Sequence, residues 1–237
     1  MKYEKLIELY VQNLKAPDER LRTDRMGEER SNRPQVRDAR PWSTFVPKAN
    51  TLSWEGIPAF KNLKGFDLNR IWVWSDLHFF HKNIIRYTKR PFSDADSMNR
   101  ALLENYRKTV GKDDVSIWVG DVSFERGGSH VTNQMLASLP GYKILVFGNH
   151  DIDKGNNLRL LFFDEIHSIY NLGNLIFTHY PWNEHVPENY YSIHGHTHDR
   201  DTGNPRHINV SVERVNFTPK ALAKIIEDRK LNYKEEM

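Results

Sequence analysis

Apolar side chains recur at three- and four-residue intervals near the start of the chain, where Leu6, Ile7, Tyr10, Val11 and Leu14 predict an amphipathic helix over residues 2–15. Ala16-Pro17 ends that pattern. From Pro17 to Pro47 the periodicity gives way to an arginine-rich segment with interspersed acids, ERLRTDRMGEERSNRPQVRDARPW. Such a segment is either a solvated arm or an arm that touches nucleic acid or another partner.

From residue 70 short apolar runs alternate with helical patterns. Ile71–Trp74, Val115–Val119 and Tyr142–Phe147 predict strands, and helices are expected over 93–110, with Ser93 or Asp94 as cap, and over 130–139. Strands alternating with helices predict a parallel α/β sheet. After Asp151 the expected strands are Glu165–Asn171, Asn174–Thr178, Tyr190–His194 and Ile208–Val212, with a tight turn over 171–174 and a closing helix over 219–230. No long structureless loop is needed between residues 70 and 230, which favours one domain there.

Composition narrows the chemistry. The chain has 237 residues, 38% hydrophobic and 27% charged, which suits a globular domain with an appendage and excludes wholesale disorder. It has no cysteine, so disulfides, thiolate zinc sites, iron–sulfur clusters and a cysteine nucleophile are all excluded. Any metal must be held by nitrogen and oxygen. No run approaches the ~18 apolar residues of a membrane span, and MKYEKLIELY lacks the apolar centre of a signal peptide, so a cytoplasmic location is expected. The net charge of +3 is local: residues 1–50 carry 11 Lys/Arg against 8 Asp/Glu, and residues 51–237 carry 23 of each. The basic balance therefore says little about what the body of the protein binds.

Five polar clusters stand where the expected strands end: Asp76-Leu77-His78, Gly120-Asp121, Gly148-Asn149-His150-Asp151, Thr178-His179 and Gly195-His196-Thr197-His198. Each alone reads as an ordinary turn. In an α/β sheet, however, the carboxyl ends of the strands line one crevice, where these carboxylates, one carboxamide and several imidazoles can converge.

Taken in order, the clusters resemble the calcineurin-like metallophosphoesterases, whose pattern runs D-x-H, G-D, G-N-H-D/E, H and G-H-x-H. The text around them, SDLHFFHKNIIRYTKRPF, WVGDVSF, KILVFGNHD, FTHYPW, HGHTH and the closing INVSVE, is most similar to the bacterial and phage branch of that family. The resemblance covers about residues 70–227. It implies a layered α/β/β/α sandwich with an N-terminal helical or irregular extension: extension 1–68, catalytic domain 69–232, tail 233–237. It also implies two divalent ions, the first held by Asp76, His78 and His198, the second by Asn149, His179 and His196, with Asp121 bridging. Two such ions against two carboxylates leave a positive pocket suited to phosphate, and a water between them becomes a hydroxide nucleophile. Manganese is the favoured ion, with iron, zinc, nickel and cobalt as alternatives.

The same resemblance makes His150 the proton donor to the leaving group. Asp151 is then either its orienting partner or a helix N-cap. His81, Lys82 and Arg86 are candidates for substrate phosphate, although His81-Lys82 could equally start a helix and Arg86 and Arg90 could lie on a solvated face. Gly127-Gly128 could form a flexible loop, and His194 could support the ligands from behind. Trp42, Trp54, Tyr180 and Trp182 read as packing residues, and an aromatic beside His179 could also stack on a nucleobase. The expected activity is phosphate-ester hydrolysis. Phosphodiesters or small nucleotides are favoured because the motif ends in Asp151, where protein phosphatases carry Glu. The alternatives are a phosphomonoesterase or protein phosphatase, a nuclease guided by the basic arm, and a non-catalytic scaffold.

Overall fold

The computed structural model describes residues 63–125, 129–152, 158–182 and 186–235. The expected helix at 2–15, the arm at 17–47, Trp42, Trp54 and Gly127-Gly128 lie outside the described residues. In chain order the elements are β1 (Ile71–Trp74), α1 (Lys82–Tyr87), α2 (Ala95–Thr109), β2 (Val115–Trp118), α3 (His130–Ala137), β3 (Tyr142–Val146), β4 (Glu165–His167), β5 (Tyr170–Leu172), β6 (Leu175–Thr178), β7 (Tyr191–His194), β8 (His207–Asn209), β9 (Lys220–Ala221) and α4 (Leu222–Asp228).

They build two sheets, one in the order β4-β3-β2-β1-β9 and the other β5-β6-β7-β8. Strands β1 to β4 run parallel, with Ile71 opposite Val115 and Val115 opposite Tyr142, and β9 closes the β1 edge antiparallel. In the second sheet β6, β7 and β8 are parallel, and β5 turns back on β6 through a tight hairpin in which Gly173 takes the left-handed φ of +56°.

Alternating side chains give the central strands of the first sheet an apolar residue on both faces. Ile71, Val73, Val115, Ile117, Ile144 and Val146 face the second sheet and meet Leu175, Phe177, Ile193 and Ile208. The intervening Trp74, Trp118 and Leu145 face the helices and meet Ile84, Met98, Leu102, Tyr106 and Leu136. Both faces are covered, as parallel strands require. Helix α2 starts where Asp94 accepts from the Ser97 N–H and the Ser97 hydroxyl accepts in return, a capping box. It buries Met98, Leu102 and Tyr106, one above another at four-residue steps. No helix among the described residues is long and apolar enough to cross a membrane.

Three expected elements differ. The run Glu165–Asn171 is not one strand: Glu165–His167 pairs with β3, the chain bends at Ser168-Ile169, and Tyr170–Leu172 pairs in the other sheet. The expected strand ending at Val212 stops at Asn209, whose side chain accepts the Ser211 N–H. Ser211 then bridges to Ser75 just beyond β1, so this segment ties the second sheet to the rim of the first. The last helix begins at Leu222 because Lys220 and Ala221 extend along β1 instead.

Candidate metal centre

All five polar clusters follow parallel strands and meet at one rim. The loops after β1 and β2 are laced together by Asp76 N–H to Gly120 O, His78 N–H to Asp121 O and Phe79 N–H to Val122 O, each 2.9–3.0 Å. Asp76, His78, Asp121, His196 and His198 all have left-handed backbone, with φ from +52° to +65°. Non-glycine residues adopt that region at a cost, and such residues concentrate where a site over-determines the backbone. The motif glycines serve close approach. A Cβ on Gly195 would collide with Ser75 Oγ and Asp76 Oδ2, and one on Gly148 would collide with Asp121 Oδ1.

Three sets of side chains converge closely enough to hold an ion: Asp76, His78 and His198; His78, Asp121 and His150; Asp121, His179 and His196. Asp121 Oδ2 lies 3.3 Å from His179 Nε2, 3.6 Å from His78 Nε2 and 3.9 Å from His150 Nε2. Asp76 Oδ1 lies 4.0 Å from both His78 Nε2 and His198 Nε2. Ligand atoms about 2.1 Å from one tetrahedral ion stand roughly 3.4 Å apart, so these separations are near what an ion would impose.

Burial and charge pull the titrating groups apart. Burial lowers the His78 ring well below the ordinary imidazole value. Burial would also lower His179, but the adjacent Asp121 carboxylate outweighs it and raises the ring to about 9. Burial pushes the Asp76 carboxyl up, and Asp121 adds to the rise. Burial and the His179 charge bring His196 down to about 4.

The donor set fits metal ions on a second count. Both ring nitrogens of His78 and Nε2 of His179 are buried without a hydrogen-bond partner. Buried polar groups seldom stay unpaired. His179 Nδ1 lies 2.9 Å from the Val119 carbonyl and His198 Nδ1 lies 3.1 Å from Glu213 Oε1, which leaves each Nε2 facing a carboxylate. Outer hydrogen bonds of this kind orient metal-binding histidines.

Several residues play parts that the sequence reading did not give them. Asp151 bonds to backbone groups among the described residues, and the residues 153–157 that a helix cap there would serve lie outside them. The buried Asp151 carboxylate accepts the N–H groups of Asp121 and Val122, both at 2.9 Å, and of Gly148 at 2.7 Å, clamping the β2 and β3 loops together. Burial and the Asp121 charge raise its carboxyl to about 7, against the pull of those N–H groups. Arg90 is buried rather than solvated. It donates to the carbonyls of Asp76 and Leu77 at 2.7 and 2.8 Å and to Glu213 Oε1 at 2.7 and 2.9 Å. Glu213 and Ser211, whose hydroxyl donates to Asp76 Oδ2 at 2.9 Å, were overlooked, although both lie in the INVSVE stretch that ends a strand as the five clusters do.

Among the substrate candidates, His81 precedes α1 with its ring 5.4 Å from His78, while Lys82 and Arg86 are exposed on α1. His150 is exposed, and its N–H donates to Asp121 Oδ1 at 2.9 Å. Asn149 stands beside the His179–His196 set, its Oδ1 accepting from the Tyr180 hydroxyl at 3.1 Å. His194 is buried, with Nδ1 2.8 Å from the Gly195 carbonyl.

The sequence profile of the calcineurin-like phosphoesterases matches residues 69–233. The chain belongs to this family. An uncharacterized protein of Methanocaldococcus jannaschii is 31% identical to this chain over 168 residues, 68% of this chain and 91% of that one. The gene 66 protein of Mycobacterium phage D29 is 27% identical over 183 residues, 62% of this chain and 89% of its own length. A solved structure from Aquifex aeolicus, a protein of unknown function, is 27% identical with a TM-score of 0.53 and covers 66% of this chain and 97% of that one.

Proposed function

We propose that this phosphoesterase hydrolyses phosphodiesters, nucleotide esters among them, with two divalent ions. Asp76, His78 and His198 hold one ion, Asn149, His179 and His196 the other, and Asp121 joins them. The observation that carries this reading is the Asp121 carboxylate, shared between two converging His/Asp sets with unpartnered imidazole nitrogens on both sides. When bound, such ions supply a nucleophile at neutral pH and offset charge on the phosphoryl oxygens. Manganese suits this oxygen and imidazole donor set.

The chain's own residues do the rest. Glu213 and Val119 fix the rings of His198 and His179, and Arg90 and Asp151 hold the loops that present the two carboxylates. Hydroxide attacks phosphorus as the opposite P–O bond breaks, and His150, exposed and 3.9 Å from Asp121, gives a proton to the departing oxygen, which leaves as the alcohol.

Asp121→Asn and His150→Gln, each assayed with manganese and thymidylyl-(3′→5′)-thymidine, a diester whose alkoxide leaving group needs a proton, test the assignment. Both should lose at least about a hundredfold in kcat, the scale of a positioned proton donor. Full activity in both variants would overturn it. A preference for p-nitrophenyl phosphate over its diester would redirect the reading to monoesters.

A further inference from the structure

Single apolar side chains scattered over a surface carry no message, but a cluster does. Three aromatic side chains are exposed among the described residues, Tyr87 (63%), Phe124 (38%) and Tyr180 (36%), and all three touch the histidines of the metal centre or their neighbours. The Phe124 ring lies nearly flat on His81, with centroids 4.2 Å apart and planes 18° apart, and meets His150 edge-on at 5.1 Å. Tyr87 meets His81 edge-on, with ring centroids 6.2 Å apart. Tyr180 leans on His196 at 4.0 Å and meets His179 edge-on at 5.3 Å. Phe124 therefore adjoins the proposed proton donor, and Tyr180 adjoins the second ion set. Asp121 lies between them, within 3.9 Å of His150 and 3.3 Å of His179.

Exposing these rings has a hydrophobic cost that packing alone would not require. Phe124 and Tyr180 each rest on an imidazole and keep part of the ring in solvent beside the place where a phosphate would sit. Flat aromatic faces on either side of a phosphate site match a chain in which each phosphate is flanked by bases. We infer that Phe124 and Tyr180 are base-stacking platforms, and that the substrate is a nucleotide diester whose bases lie on either side of the scissile phosphate, as in single-stranded nucleic acid. The inference rests on the phosphodiesterase reading and names the substrate class for that site. It also makes Phe124 and Tyr180 specificity residues: their contact is with the base, remote from the bond that breaks.

Thymidine 5′-(p-nitrophenyl phosphate) and methyl p-nitrophenyl phosphate share a leaving group and differ in the base. With manganese, the ratio of their kcat/KM values should be about tenfold or more in the wild type, the size expected of one stacked base. The single thymine reaches one platform, so one of Phe124→Leu and Tyr180→Leu should cut that ratio about fivefold and the other should leave it unchanged. Any general loss of activity cancels in the ratio, and a ratio that neither variant changes would overturn the inference. Tyr180→Phe, which keeps the ring and loses the hydroxyl, should preserve the ratio. A wild-type ratio near one would overturn the stacking inference and leave the phosphodiesterase reading intact. If neither ester is hydrolysed, that reading fails, and binding of a 2-aminopurine-containing oligonucleotide decides the stacking separately. Quenching by the wild type that Phe124→Leu loses supports it, and equal quenching by both overturns it.

Discussion

Arg90 donates from Nε and Nη2 to a single oxygen of Glu213, at 2.9 and 2.7 Å, and the same oxygen lies 3.1 Å from Nδ1 of His198. Because Arg90 also grips the carbonyls of Asp76 and Leu77, one buried ion pair joins the loop after β1 to the segment that carries Glu213 beside His198. Glu213→Gln leaves the guanidinium without its counter-charge in a buried setting, at a cost of about 3–5 kcal/mol. Urea unfolding should show that loss. Manganese titration by calorimetry should show about 10- to 100-fold weaker binding, the scale of lost outer support for a ligand histidine. Lost stability with unchanged affinity would make the pair purely structural.

Asp151 contributes in a different way from His150, although the two are adjacent. Asp151→Ala strands three buried N–H groups, each worth about 1–3 kcal/mol when left unpaired, whereas Asp151→Asn keeps one acceptor oxygen. The alanine variant should be the less stable of the two in urea, and both should bind manganese more weakly. His150→Gln should leave stability within about 0.5 kcal/mol of wild type, because that ring is exposed. Equal unfolding midpoints for Asp151→Ala and His150→Gln would contradict the clamp.

Gly195 is demanded by space, since the oxygens of Ser75 and Asp76 occupy the place of its Cβ. Gly195→Ala has to push Asp76 away from the His196 N–H, to which both Asp76 oxygens are bonded at 2.9 and 3.0 Å. Overpacking of this kind costs about 1–3 kcal/mol. Thermal unfolding in chelator should report that loss, and added manganese should raise the variant's midpoint less than the wild type's. The same rise in both proteins would mean that the loop yields freely.

Acid stability has a source outside the candidate metal centre. Burial would raise the Asp114 carboxyl, but the Gly111 N–H, the Trp72 indole and Arg70 outweigh burial and hold it below the usual range. A depressed carboxylate adds stability above its unfolded value, about 3.9, and that stability is lost as the pH falls through the folded value. The stability difference between wild type and Asp114→Asn should be constant from about pH 5 to 7 and shrink below about pH 4. A difference that persists unchanged at pH 3 would rule this out.

Much of this molecule is readable from local pattern. The strands of the first sheet, helix α2 with its Asp94 cap and the five polar clusters each depend on neighbours within a few residues, so alternation and cap chemistry expose them. Ligand-type residues also announce themselves, because few ordinary turns need carboxylates and imidazoles at successive strand ends. The division of Glu165–Leu172 between two sheets was not readable. An apolar run carries no mark of which partner it will pair with, and the bend at Ser168-Ile169 becomes visible only once both sheets exist.

The supports of the site belong wholly to the tertiary structure. Arg90 at a helix end reads as a surface cation until a carboxylate 123 residues away and two carbonyls close around it. Asp151 reads as a partner for the histidine beside it, yet its oxygens turn to N–H groups about 30 residues back because the β2 and β3 strands bring those groups into reach. Which residues could do chemistry was set by their type and by the strand ends they follow. Which way each side chain faces was set by the packing of two sheets, since burial leaves a polar group only the partners that distant strands bring to it.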